Sequence, residues 1–205
     1  MVSEFFPLCY AARNIPWPRT DVIKKVLLAV VAIVVLFVVI VALQPAEFRV
    51  SRSRVIVAPA TAVFEQINDF HNWQAWSPWA KRDPNMKESY DGARAGVGAS
   101  YSWSGNHEVG EGRMTLIESR PSELIRIKLE FLKPFAATNT SEFTLKPEGD
   151  QTAVTWSMSG TNGFMAKAVG LVMNMDKLVG GDFEKGLEQL KSVTEATSKP
   201  GMATK

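Results

Sequence analysis

The sequence is poor in cysteine and histidine, the two side chains that most often build metal and nucleophilic sites. Its one cysteine, Cys9, lies near the N-terminus, and its two histidines, His71 and His107, are far apart in the chain. No disulfide framework and no cysteine-based zinc site is therefore expected. No nucleophile with a base and an orienting third group is visible either. We predict no metal, no cofactor and no assigned catalytic residue, and leave acid–base chemistry open only for His107 and Glu111.

The sequence also lacks an excess of basic residues beyond its N-terminal segment. Four of the 23 Lys and Arg residues and two of the 21 Asp and Glu residues precede residue 44, which leaves 19 of each sign in the rest. A nucleic-acid-binding domain normally carries a net positive charge, so nucleic acid is excluded as an expected partner. The glycine-rich stretch GARAGVGASY leads into a strand pattern and not into a helix, which argues against a nucleotide site.

One long apolar run stands out. Val26–Leu43, VLLAVVAIVVLFVVIVAL, has no polar residue. As a helix it would be about 27 Å long, close to the hydrocarbon thickness of a bilayer. A signal peptide has a shorter apolar stretch and a small-residue cleavage site, whereas Gln44-Pro45-Ala46-Glu47 follows here. We predict a single-pass transmembrane anchor at residues 22–44.

The charges that flank this run predict its orientation. Four basic residues precede it, with Lys24 and Lys25 directly before it, and three arginines follow between positions 49 and 54. The positive-inside rule then favours a cytoplasmic N-terminus and a periplasmic or extracellular domain. We expect a disordered tail at residues 1–21, a domain at 45–197 and a C-terminal tail at 198–205.

The first part of the domain has the pattern of an antiparallel sheet. A strand is predicted at Phe48–Ala58, a short helix at Thr61–Asp69, and several short strands between Met86 and Gly160. In Glu123–Leu132, ELIRIKLEFL, apolar and charged residues alternate, which indicates one buried and one solvated face.

The C-terminal part changes to helical periodicity. Asp182–Thr194 places an apolar stripe on one side, and Phe164–Leu178 before it is looser and rich in methionine. Gly180 and Gly181 indicate a bend or close packing. Because the inner face of the sheet must be buried and this helix is the only large cover, we predict that they pack together around a cavity.

Four segments then carry a resemblance: FEQINDFHNWQAWSPWAKRDPNMKESYDG, GVGASYSWSGNHEVGEGRMTLIESRP, TAVTWSMSG and VGGDFEKGLEQLK. They resemble the SRPBCC (START-like, helix-grip) superfamily, in its polyketide cyclase/dehydrase and lipid-transport branch, over roughly residues 48–194. The resemblance implies an α+β helix-grip fold, in which a curved antiparallel sheet wraps a long C-terminal helix around a largely apolar cavity. Members bind or carry hydrophobic molecules, and some of them catalyse reactions.

Three tryptophans, Trp73, Trp76 and Trp79, are spaced three residues apart in HNWQAWSPWAKRDP. Burial in the core is the favoured interpretation, and a ligand-pocket wall or a membrane-facing rim is the alternative, because tryptophan suits both settings. We expect Trp76 to be the core residue, with one side of Trp73 and of Trp79 reaching solvent.

The ligand-binding candidates are inward-facing residues on the elements expected around the cavity. Methionines adapt to varied apolar ligands, although plain core packing is an equal alternative for them. Asn139 and Ser141 would supply polar contacts. The candidates are Trp76, Trp103, Met114, Asn139, Ser141, Trp156, Met158, Met165, Met173 and Phe183.

The expected function is membrane-anchored binding or transfer of a hydrophobic small molecule or lipid, with the membrane as the second partner. Two alternatives stay open at this point. One is a cyclase- or dehydratase-like enzyme, and the other is a membrane-tethered interaction or stress-response module.

Overall fold

The computed structural model describes residues 20–172 and 174–198 of the 205-residue chain, which divides after Gln44 into two compact units. The first unit contains helix α1, Thr20–Leu43. Residues 21–43 of this helix are long and apolar enough to cross a membrane, features that a membrane anchor and a signal sequence share. The predicted tails lie outside the described residues, except that Thr20 and Asp21 belong to α1 and Ser198 ends the last helix.

The second unit is built on a seven-stranded antiparallel sheet with the strand order β1-β7-β6-β5-β4-β3-β2. Neighbours in sequence pair with each other, except that β1 pairs with β7. The strands are β1 (Glu47–Ile56), β2 (Lys87–Gly92), β3 (Ala99–Ser104), β4 (Glu111–Arg120), β5 (Leu124–Lys133), β6 (Ala137–Glu148) and β7 (Gln151–Thr161). This curved open sheet with a long C-terminal helix confirms the predicted helix-grip fold.

The strand register divides the loops between two ends of the sheet. Glu47 at the start of β1 lies opposite Thr161 at the end of β7, and Ile56 lies opposite Thr152. The Glu47 end therefore comprises the start of β1, the β3–β4 loop, the β5–β6 turn and the end of β7. The Ile56 end comprises the β2–β3 loop and the β6–β7 turn.

Four helical segments accompany the sheet. They are α2 (Ala60–Asn68), a 3-10 helix (Phe70–Ala75), α3 (Phe164–Gly170) and α4 (Met175–Ser198).

Helix α4 buries the predicted apolar stripe, including Phe183, Leu187 and Leu190, against the inner face of the sheet. It also follows β1 from the Glu47 end to the Ile56 end, since Arg52 binds Glu184 at 2.7 Å and Lys191 Nζ donates to the Val55 carbonyl at 3.3 Å.

The two adjacent glycines lie within α4 and do not interrupt it. A Cβ atom on Gly180 would lie 2.0 Å from Nη2 of Arg52, while one on Gly181 would meet open space. The close packing considered for these glycines is confirmed at Gly180 and not at Gly181. The absent side chain lets the Arg52 guanidinium reach Asp176 and Glu184 across the helix.

Candidate functional site

A cavity of about 280 Å³ lies between the inner face of the sheet, the tryptophan-rich segment and α4. This volume is near the lower end of the range for small-molecule sites, about 300–1,000 Å³. Most of its wall is aromatic or aliphatic. The larger apolar side chains in the wall are Trp73, Trp79, Met86, Trp103, Val109, Met114, Leu129, Phe131, Trp156, Met158, Val179 and Phe183.

Trp156 on β7 fixes the inner part of this wall. Its ring stacks on Phe183 of α4, with centroids 4.1 Å apart, and on Phe143 of β6 at 4.7 Å. The indole Nε1 donates a hydrogen bond to Ser141 Oγ at 2.9 Å, which satisfies the one polar atom of the ring. Among the described residues Ser141 Oγ acts only as an acceptor, so its hydroxyl hydrogen is available to an oxygen atom of a ligand.

The burial of the three spaced tryptophans differs in part from the prediction. Trp76 is 0% exposed and donates from Nε1 to the Gln66 carbonyl at 3.1 Å, which confirms it as a core residue. The expectation that Trp73 reaches solvent is wrong, since Trp73 is 5% exposed and donates to the Ile67 carbonyl at 2.9 Å. A 3-10 helix has three residues per turn, so both rings lie on the same buried side.

Trp79 follows the helical turn and combines the two roles considered for it. It is half-buried, packs edge-on against Trp156 and Phe183 at centroid distances of 5.8 and 6.4 Å, and lines the cavity. Trp79 therefore links the aromatic core to the candidate site.

The ten predicted site residues fall into three groups. The cavity wall contains Trp103, Met114, Ser141, Trp156, Met158 and Phe183. Two others are buried without being part of the wall. Trp76 lies in the core behind it, and Asn139 packs beside Gly160, where a Cβ atom would lie 2.1 Å from Asn139 Oδ1.

Met165 and Met173 do not join them. The prediction that Met165 faces the sheet–helix interior is wrong, because this residue of α3 is 63% exposed and α3 has no buried residue. Met173 lies outside the described residues.

An ion pair in the cavity wall was not predicted from the sequence. Arg82 Nη2 donates to Asp182 Oδ1 at 2.5 Å, which joins the segment after Trp79 to α4. The two residues are 100 positions apart, so no local sequence pattern predicts their contact. Three residues of the cavity wall, Gln74, Glu108 and Leu178, are exposed. Glu108 lies in the β3–β4 loop, and Leu178 lies in the first turn of α4.

A second polar group borders the cavity at Tyr101. The hydroxyl of Tyr101 donates to Glu88 Oε1 at 2.9 Å, and Gln74 Nε2 donates to the same oxygen at 2.5 Å. Burial raises the pKa of Tyr101, and the hydrogen bond to the Glu88 carboxylate raises it further. The phenol therefore stays neutral and acts as a hydrogen-bond donor.

The acid–base candidates are placed apart from this wall. His107 is exposed in the β3–β4 loop. The Glu111 carboxylate forms an ion pair with Lys133, whose Nζ lies 2.7 Å from Oε2. His71 contacts Asp69 Oδ1 through Nδ1 at 2.6 Å and stacks on Tyr90, with ring centroids 4.2 Å apart.

Several solved structures share this fold at low sequence identity. A protein from Chromobacterium violaceum is 18% identical, with 74% of this chain and 99% of that chain covered and a TM-score of 0.52. A protein of unknown function from Staphylococcus aureus is 10% identical, covering 76% and 98%, with a TM-score of 0.57. The di-domain ARO/CYC protein StfQ of the steffimycin biosynthetic pathway is 10% identical, covering 74% and 52%, with a TM-score of 0.54.

These likenesses show the fold alone, and a search of curated proteins finds no match. The sequence itself is more specific. A profile of the SRPBCC-type family described as polyketide cyclase/dehydrase and lipid transport matches residues 47–195, nearly the whole second unit. The chain belongs to this polyketide cyclase/dehydrase and lipid-transport family.

Proposed function

We propose that the protein binds a hydrophobic small molecule or lipid in the sheet–helix cavity and transfers it at a membrane surface. In this proposal α1 is a single-pass anchor with a cytoplasmic N-terminus, and the domain lies in the periplasm or outside the cell. The family description supports a hydrophobic ligand. The apolar helix supports a membrane location.

The observation that carries the proposal is the composition of the cavity wall. Aromatic, methionine and aliphatic side chains dominate it, and a few polar groups converge on it from different elements. The Ser141 hydroxyl can donate a hydrogen bond to a ligand, and the Tyr101 oxygen, whose hydrogen goes to Glu88, can accept one. This combination of a largely apolar pocket with few polar contacts is typical of small-molecule sites.

The test is to identify what the full-length protein carries when it is extracted from membranes in mild detergent. Native mass spectrometry should show a bound apolar molecule. The variant Leu129→Trp adds a large ring to the cavity wall and should abolish this bound mass. Ile117→Trp makes a comparable change at an exposed position of β4 and should keep it.

Two results would contradict the proposal. One is the absence of any bound apolar molecule together with no saturable binding of a fluorescent fatty acid. The other is equal binding by wild type and Leu129→Trp. For the anchor, full-length protein should stay in the membrane fraction after alkaline washing, and a reporter fused after Lys205 should read non-cytoplasmic.

A further inference from the structure

The Glu47 end of the sheet carries an exposed apolar surface that the folded domain leaves uncovered. One part is α3 with the turn after it, where Phe164, Leu171 and Val172 are exposed, Val172 by 85%. The other part is the β5–β6 turn, where Leu132 is exposed and Phe135 is 69% exposed. Single exposed apolar side chains are common, but several large ones grouped at one end of a domain are typical of an interaction surface.

The chain itself indicates which partner this is. The backbone N–H of Asn162, two residues before α3, donates to the Ala46 carbonyl at 2.6 Å. Ala46 comes three residues after Leu43, the last residue of the apolar helix. An extended chain covers at most about 3.6 Å per residue, so Leu43 and Glu47 lie within about 14 Å of each other. The covalent connection therefore keeps this end of the sheet near the surface of any bilayer that α1 spans.

The charged residues of these two segments are compatible with a lipid surface. In residues 132–136 and 164–172 the charged residues are Lys133 and Lys167, and both are cationic. Large apolar side chains interspersed with lysine are typical of segments that lie in the lipid headgroup region, where the ammonium group stays at the phosphate level.

Exposed residues of the cavity wall lie toward the same side. Leu178 both lines the cavity and is exposed, and it lies in the first turn of α4, shortly after the Val172 turn. Glu108, in the β3–β4 loop at the Glu47 end, is a second exposed residue of the cavity wall.

We propose that the α3 segment (residues 164–172) and the β5–β6 turn (residues 132–136) form a membrane-docking surface, which seats the cavity opening against the bilayer that holds α1. The proposal deepens the proposed function, on which it rests for the anchor. The lipid surface covers the apolar side chains, and the hydrophobic ligand passes between bilayer and cavity without crossing water.

The experiment uses full-length protein reconstituted in phosphatidylcholine vesicles. An environment-sensitive fluorophore is placed at Val172→Cys, Phe135→Cys or Val97→Cys in a Cys9→Ser background, and lipids with spin labels on the acyl chain act as quenchers. Val97 is the matched control, because it is an exposed valine, by 60%, in the β2–β3 loop at the Ile56 end. Probes at positions 172 and 135 should be quenched, and the probe at 97 should not.

Charge substitution gives the functional readout. Val172→Asp should slow ligand uptake from vesicles roughly tenfold, in line with the transfer free energy of one large apolar side chain, while Val97→Asp should leave the rate unchanged. Ligand binding by Val172→Asp in detergent should equal that of wild type, which separates docking from binding. If the protein carries no ligand but the probes at 172 and 135 are still quenched, the docking surface is supported and the proposed ligand-binding function is refuted.

Docking is refuted if the probes at 172 and 135 are quenched no more than the probe at 97, even when bound ligand is present. A fluorescence change that rises with protein density and persists without lipid quenchers would assign the surface to a second copy of the chain, which also overturns the proposal.

Discussion

The tryptophan segment gives the sharpest quantitative test of the structure. Trp76→Ala removes a fully buried indole that packs 4.6 Å from Trp73 and 5.8 Å from Trp156, measured between ring centroids. Truncation of a buried Trp to Ala costs about 3–5 kcal/mol, from lost transfer free energy and the cavity left behind. Trp73→Ala should cost a similar amount, because Trp73 is almost as buried.

Trp79→Ala provides the contrast within the same segment. Trp79 is half-buried and lines the cavity, so its truncation should cost roughly half as much stability, about 2 kcal/mol, and weaken ligand binding more than Trp76→Ala does. Because Trp76→Ala removes a large share of the typical 5–15 kcal/mol of folding stability, Trp76→Phe is the companion variant. It keeps an aromatic ring, loses the hydrogen bond to Gln66 and should cost about 1–2 kcal/mol.

The assay is chemical denaturation of the full-length protein in detergent micelles, followed by near-ultraviolet circular dichroism of the aromatic cluster. Midpoints and slopes then give the free energy of unfolding for each variant. Ligand affinity is measured on the same samples by fluorescence titration. Equal losses for Trp79→Ala and Trp76→Ala, or a near-neutral Trp76→Ala, would refute the assignment of one residue to the core and the other to the cavity wall.

Three further outcomes are expected. Gly181→Ala should stabilise the domain by about 0.5–1 kcal/mol through helix propensity, whereas Gly180→Ala should be less stable than Gly181→Ala because its Cβ displaces Arg52; thermal melts compare them. The hydrogen bond with Arg52 lowers the pKa of Asp176, with burial opposing and the Arg52 charge assisting. This lowered pKa contributes stability above about pH 4 that is lost as pH falls through the folded-state value, so the advantage of wild type over Asp176→Asn should shrink in acid unfolding curves. His107→Ala should leave ligand titrations unchanged, and a loss of affinity would contradict the placement of His107 away from the cavity wall.

The inner face of the sheet was predictable from the sequence because strand periodicity depends on local pattern alone. Alternation in ELIRIKLEFL predicts one inward face for Ile125, Ile127, Leu129 and Phe131. The structure buries the first two in the core and places the other two in the cavity wall. The packing of α4 on this face was also predictable, because Phe183, Leu187 and Leu190 repeat at helical spacing.

The parts of the site that were missed depend on contacts between segments that are far apart in the sequence. Arg82 and Asp182 meet only when the segment after Trp79 lies against α4, which no local pattern encodes. Trp73 was expected to reach solvent, but Phe143 and Trp156, which come from distant strands, pack against its ring. Asn139 points inward, as the alternation along its strand predicts, but it packs on Gly160 instead of lining the cavity.

The error at Met165 has the most informative physical cause. Met165 was assigned to the interior because burial is the usual fate of apolar side chains in a soluble domain. In the structure α4 and the aromatic cluster cover the inner face of the sheet, and α3 does not. Exposure of the whole α3 segment is costly in water, so it is consistent with a setting in which another apolar phase covers it. The hydrogen bond from Asn162 to Ala46 holds this segment next to the connection that leaves α1. The membrane-docking surface proposed above accounts for these apolar side chains, because the bilayer would cover them at the end of the sheet that the chain joins to α1.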